Sequence, residues 1–202
     1  MNTPNKLTVF RMLIVPAIVI VSMINIPGEI IGIPLGYLIM DILFIIASIT
    51  DKVDGYLARK NNQVTTFGKF LDPIADKILV VSAMIVLVGQ GKLPAWIPII
   101  VIIREFAVSG YRLIAVESSG NVIAANKWGK LKTVTQMIAI ILIFMDKFSY
   151  FDFARSTVRV EMSVPFLVIN VLASVILTIS VVATLFSGYD YLKDGKDLLK
   201  DA

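Results

Sequence analysis

Long apolar runs separated by short polar turns organise this chain. Six runs can be marked: 7–26, 31–50, 70–88, 95–116, 131–145 and 162–189. None alternates with the period of two expected of a half-buried strand, and their lengths predict helices. A bilayer core about 30 Å thick needs roughly 20 apolar residues per helix. Run one, after Arg11, and run six meet that without a charge, whereas the second carries Asp41 and the fourth Arg104 and Glu105. An ionisable group inside a lipid-spanning helix is costly and marks a functional position by default. The turn signals between runs are Ile26-Pro27-Gly28, Lys60-Asn61-Asn62-Gln63, Gly89-Gln90-Gly91 and Ser118-Ser119-Gly120-Asn121. The pattern predicts an all-α, polytopic membrane protein with six transmembrane helices. It forms one domain over 1–189, with a short charged tail over 190–202.

Composition sharpens this picture. The chain is 57% hydrophobic and only 17% charged, against about 25% charged in soluble domains. No cleavable leader is expected, because the first apolar run is too long and lacks a small-residue cleavage site. Of the 19 Lys and Arg, only Lys92, Lys147, Arg155 and Arg159 fall outside if both termini are cytoplasmic. The positive-inside rule supports that orientation and a multi-pass location in the cell membrane. The net charge of +4 is therefore membrane-flanking charge, and no nucleic-acid partner is expected.

Six spans bring the start of run one, the end of two, the start of three, the end of four and the start of five to one membrane face. Asp51, Asp54, Asp72, Asp76, Lys77, Arg104, Arg112, Lys130 and Lys132 then lie at one level, so a polar site is expected at the cytoplasmic face. Residues three or four apart share a helix face, which pairs Asp51 with Asp54 and Asp72 with Asp76. Four close carboxylates repel one another, and divalent cations relieve this. With neither His nor Cys in the chain, all-oxygen ligation favours Mg²⁺, Mn²⁺ or Ca²⁺. Two such ions can stabilise the attacking and leaving oxygens of a phosphoryl transfer. Gly55, Ala58 and Gly68 leave room for a bulky group beside the carboxylates.

The residues Asp51, Asp54, Gly55, Ala58, Arg59, Gly68, Asp72 and Asp76 match D-x2-D-G-x2-A-R-x8-G-x3-D-x3-D at every fixed position. In this the chain resembles the CDP-alcohol phosphatidyltransferases. The stretch Asn2–Arg11 looks like the family's opening. Segments 104–112 and 129–136 look most like members that use glycerol 3-phosphate. The resemblance implies transfer of the phosphatidyl group from CDP-diacylglycerol to the hydroxyl of sn-glycerol 3-phosphate, releasing CMP. It implies two divalent cations, Mg²⁺ or Mn²⁺, held by Asp51, Asp54, Asp72 and Asp76, with Asp76 also the base. Asn5, Thr8, Asp54, Gly55, Ala58, Arg59, Gly68 and Asp72 would receive the CDP-lipid. A phosphorylated acceptor needs fixed positive charge, for which Arg11, Lys77, Arg104, Arg112, Lys130 and Lys132 are the candidates. A homodimer embedded in membrane lipid is the implied assembly.

Plainer readings compete at several positions. Arg59 is equally a headgroup anchor, Asp41 reads as structural, and the aromatics over 148–153 read as an interfacial belt. Rival functions are a family member with another acceptor (inositol phosphate, serine or phosphatidylglycerol), an aspartate-rich prenyltransferase, or a carboxylate-site metal transporter. Transport would place the carboxylates near the midplane, and the spacing here puts them at one edge.

Overall fold

A computed structural model describes residues 2–60, 65–119 and 127–194. Each apolar run lies on a long helix: α1 Thr3–Met23, α2 Leu35–Lys60, α3 Thr66–Gly89, α4 Trp96–Ser119, α5 Lys127–Met145 and α7 Val164–Asp194. A four-residue helix, α6 Ser156–Arg159, and a 3-10 turn over Asp152–Ala154 fill the connection before α7. By length and composition, α1, α5 and α7 can cross a membrane, over Asn5–Met23, Lys127–Met145 and Val164–Tyr191.

Two details depart from the sequence reading. Run two begins as a two-stranded hairpin, β1 Glu29–Ile30 and β2 Ile33–Pro34, so the chain is not purely helical. Ile31 and Gly32 both have positive φ, 54° and 76°, the geometry of a tight hairpin turn. The tail expected from 190 starts later, because α7 continues to Asp194. Pro73 sits inside α3 and not in its first turn, which opens at Thr66. Its missing N–H leaves the carbonyl four residues earlier without a helical partner and loosens α3 over 69–73, the turn that carries Asp72. The turn signals at 61–63 and 120–121, and the tail beyond 194, lie outside the described residues.

Caps fix where the site-bearing helices start. The Asn2 side chain accepts from the Asn5 amide at 3.3 Å, and the Thr65 hydroxyl accepts from the Gly68 amide at 3.0 Å. Each satisfies an otherwise orphaned first-turn donor. The core joins Ile14 and Ile18 of α1, Phe44 of α2, Leu79 and Leu87 of α3, Ile97 of α4, Ile140 and Phe144 of α5 and Leu177 of α7. Small residues are buried in the bundle beside the large ones of the core: Ala47, Ala83, Ala139, Ala173, Ser180 and Thr184. Outward positions are large and apolar instead, including Leu13, Ile20, Ile85, Ile103, Phe106 and Leu185. An outer surface of large apolar side chains suits a lipid surround, and small buried residues let helices pack closely there.

The bundle end away from the aspartates is fastened by a polar knot. Asn170 of α7 donates to Asp146 Oδ2 at 2.6 Å and to the Ser149 carbonyl at 2.9 Å, and accepts from the Phe153 amide at 2.9 Å. Burial pushes the Asp146 carboxyl above its ordinary pKa, and the Phe148 amide and Asn170 oppose this. Burial pulls the nearby Lys92 ammonium down to about 8 against the pull of Asp146. Lys92 lies 4.0 Å from the centre of the Tyr37 ring. The aromatics over 148–153 pack within this knot, Tyr150 edge-on to Phe151 with centroids 4.6 Å apart and Phe151 stacked on Phe153 at 5.3 Å. Asn170→Ala strips partners from three buried or half-buried groups. It is expected to cost roughly 2–3 kcal/mol, read as a lower Tm in detergent with kcat preserved.

Candidate active site at the polar end of the bundle

Arg11 is the centre of the acidic half of the site. It stands on the third turn of α1, is fully buried, and faces both aspartate pairs. Its Nη1 lies 2.9 Å from Asp51 Oδ1 and also pairs with Asp76 Oδ1, while Nη2 pairs with Asp54 Oδ2. Thr8, one turn earlier, donates to Asp72 Oδ1 at 2.8 Å and approaches Asp54 Oδ2 at 3.5 Å. The polar face of α1 therefore gathers carboxylates from α2 and α3. Asp51 and Asp76 lie within hydrogen-bonding reach of each other, and Asp54 within electrostatic range of Asp51 and Asp72.

Arg11 was expected among the acceptor-phosphate ligands. The structure places it among the aspartates, where a guanidinium in an apolar helix finds the anionic partners it needs. One cation against four carboxylates leaves a formal excess of three negative charges. Among the described residues no three carboxylates stand ready around a single ion, since the Arg11 fork lies between three of them. The donor set nonetheless fits divalent cations: hard oxygens only, from two helices, in excess of the charge that Arg11 neutralises.

The remaining nucleotide candidates divide. Asn5 is buried beside the aspartates, where its Oδ1 accepts from the Thr65 hydroxyl at 3.0 Å. Gly68 is packed against it: a Cβ there would meet Asn5 Oδ1 at 3.0 Å, Thr65 Oγ1 at 3.3 Å and Asp72 Oδ2 at 3.8 Å. The glycine thus lets α1 and α3 approach closely. Gly55 follows Asp54 on α2 and is half-buried. The Ala58 and Arg59 side chains lie outside the described residues.

A basic half adjoins the acidic one through the consecutive residues Asp76 and Lys77. Lys77 donates to Ser109 Oγ of α4, which in turn donates to the Glu105 carbonyl at 2.6 Å. Glu105 Oε1 accepts from Arg104 Nη1 at 2.9 Å and from Lys132 of α5. Lys77 and Arg104 both lie within electrostatic range of Lys132. Arg104 Nη2 donates to Ser187 Oγ, and Arg112 Nη2 to Tyr191 Oη, both acceptors on α7. Among the described residues, Lys77, Arg104 and Lys132 gather around the one carboxylate of Glu105, with Arg112 next to Arg104 across the Tyr191 ring. The Nε donors of Arg104 and Arg112, like that of Arg11, are buried and unbonded. Lys130 is exposed on the surface of α5, and Asp41 is buried within α2 with one unbonded oxygen.

Ser109, Ser187 and Tyr191 were absent from the sequence-based site. Hydroxyls in apolar helices carry little signal, and Ser187 and Tyr191 lie far along the chain from the residues they hold.

The family description of the CDP-alcohol phosphatidyltransferases matches residues 1–186. A protein of Bacillus subtilis (strain 168) named CDP-diacylglycerol–glycerol-3-phosphate 3-phosphatidyltransferase is 41% identical over 206 residues, covering 98% of this chain and 97% of its own. Proteins of the same name from Rickettsia typhi and Haemophilus influenzae are 37% and 34% identical. They cover 95% and 99% of this chain, and 96% of their own in both cases.

Proposed function

The chain belongs to the CDP-alcohol phosphatidyltransferase family, and on that premise we propose that it converts CDP-diacylglycerol and sn-glycerol 3-phosphate into phosphatidylglycerophosphate and CMP. The carrying observation is the pair of oppositely charged clusters that meet at Asp76 and Lys77. The acidic half suits a diphosphate bridged by cations, and the basic half suits a phosphorylated acceptor. The cations gathered around Glu105, namely Lys77, Arg104 and Lys132, favour such an acceptor over serine, which brings no phosphate.

Asp51, Asp54, Asp72 and Asp76 would hold two divalent cations, Mg²⁺ or Mn²⁺, which neutralise the diphosphate and the developing charge on the leaving CMP. Asn5, Thr8 and the close packing at Gly68 shape the wall beside them. The primary hydroxyl of the acceptor attacks the phosphorus that carries the diacylglycerol. Asp76 takes the hydroxyl proton, a new phosphorus–oxygen bond forms, and the bond to CMP breaks. Arg104, Arg112, Lys132 and Lys77 hold the acceptor's phosphate and so aim its hydroxyl.

The same reading puts all six long helices across the cell membrane with both termini cytoplasmic. The site then opens where water-soluble acceptor and lipid-borne donor can both reach it. A homodimer is the assembly we favour.

The test is an acceptor panel. Purified protein in lipid nanodiscs receives CDP-diacylglycerol, Mg²⁺ or Mn²⁺, and one of glycerol 3-phosphate, inositol phosphate, serine or phosphatidylglycerol. CMP release with glycerol 3-phosphate alone is the expected result. Release driven by serine would overturn the acceptor assignment. No release with any acceptor, together with ion flux into protein-loaded liposomes, would make the chain a transporter.

A further inference from the structure

The acceptor arginines are held by a helix that carries none of the motif. Arg104 and Arg112 sit two turns apart on one face of α4, and both reach toward the C-terminal end of α7. There Tyr191 Oη accepts from Arg112 Nη2, and the Arg104 and Arg112 guanidinium carbons lie 5.8 Å and 5.2 Å from the centre of the Tyr191 ring. Tyr191 is 5% exposed, and Tyr111 packs edge-on against it with centroids 6.0 Å apart. Ser187, one turn earlier and fully buried, holds Arg104 Nη2. Both lie beyond residue 186, where the family match ends.

This geometry matters because an arginine fork binds phosphate well only when its plane is fixed before the ligand arrives. A long side chain loses rotamer freedom when it is ordered, and ordering it in advance takes that cost out of binding. In each arginine one Nη is committed to α7 while Nε stays unbonded and buried. One ring touches both guanidiniums, so it fixes their spacing as well as their planes. Resting on the reading of Arg104 and Arg112 as acceptor-phosphate ligands, we propose that Tyr191 is a positioning residue that sets the two arginine forks for that phosphate, with Ser187 in the same role for Arg104. The end of α7 thereby tunes acceptor affinity without touching the nucleotide or the reacting atoms.

The test compares Tyr191→Phe, Arg112→Ala and the double variant by CMP release, with glycerol 3-phosphate and CDP-diacylglycerol varied separately. Tyr191→Phe keeps the ring and removes only the phenolic oxygen. Losing a hydrogen bond to a charged group is expected to raise KM for glycerol 3-phosphate roughly tenfold, with kcat and KM for CDP-diacylglycerol changed less than about twofold. In the Arg112→Ala background the same change is expected to add nothing, since it acts through that arginine. Tyr189→Phe, on the exposed side of α7, is the control and leaves all three constants unchanged.

A selective KM effect of Arg112→Ala with none from Tyr191→Phe would overturn the positioning role while sparing the acceptor pocket. Equal effects of Arg112→Ala on both substrates would overturn the pocket and the positioning role with it. A parallel loss of kcat and thermal stability in Tyr191→Phe would reduce the residue to packing.

Discussion

Asp76→Asn is expected to lower kcat for CMP release by about three orders of magnitude or more, the upper range for loss of a general base. Asparagine keeps the volume of the side chain and an oxygen for the Arg11 fork, so local packing survives. It has no lone pair basic enough to take the acceptor proton. Asp76 also suits the role by position. Its side chain is 48% exposed, against 29% for Asp51 and 4% for Asp54, so it is the most open of the three carboxylates on Arg11. It also precedes Lys77, the nearest cation of the acceptor cluster, which places it at the seam between donor and acceptor. Binding of CDP-diacylglycerol, followed by titration against thermal stability, is expected to change only a few-fold, because three metal-binding carboxylates remain. Near-normal turnover in Asp76→Asn would remove it as the base. A fall in lipid affinity as large as the fall in rate would make it a ligand only.

Much of this arrangement is legible in the sequence for physical reasons. Spacings of three and four put each aspartate pair on one helix face, and the largely apolar remainder of α2 and α3 leaves the pairs one polar end of the bundle to share. The charges of α4 and α5 are legible too, since Arg104, Glu105 and Lys132 have nowhere to go in an apolar helix except toward each other. The hairpin at 29–34 was hidden because two-residue strands are too short to show a period. The pairing of Arg11 with the aspartates was hidden for a different reason. Its charge pointed to phosphate, but its height on α1 matches the aspartates of α2 and α3, and helix register between distant segments is not written in local sequence. Tyr191 and Ser187 were invisible because their partners lie 79 and 83 residues away.

That position of Arg11 leads to the second large effect. Arg11→Gln, in protein stripped of divalent ions by chelator, is expected to lose roughly 3–5 kcal/mol of stability, the usual result of removing one partner from a buried ion pair. The guanidinium pairs with Asp51, Asp54 and Asp76 together, and glutamine replaces it with a neutral amide. Asp54, itself buried, then faces its neighbours without a counter-charge. Millimolar Mn²⁺ or Mg²⁺ is expected to restore much of the lost Tm, because an ion that binds only the folded chain stabilises it by mass action. The metal-induced rise is expected to be larger in the variant than in the parent, since Arg11 no longer competes for the same oxygens. Arg11→Lys is expected to fall between them, keeping the charge but not a fork wide enough for three carboxylates. These outcomes separate the two roles open to this arginine. A phosphate ligand would lose glycerol 3-phosphate affinity on substitution and leave the chelated protein's Tm unchanged. An arginine that balances the aspartates would lose stability first, and recover it with the same ions that the carboxylates are proposed to bind. An equal metal-induced rise in parent and variant would show that the ions and Arg11 occupy separate places.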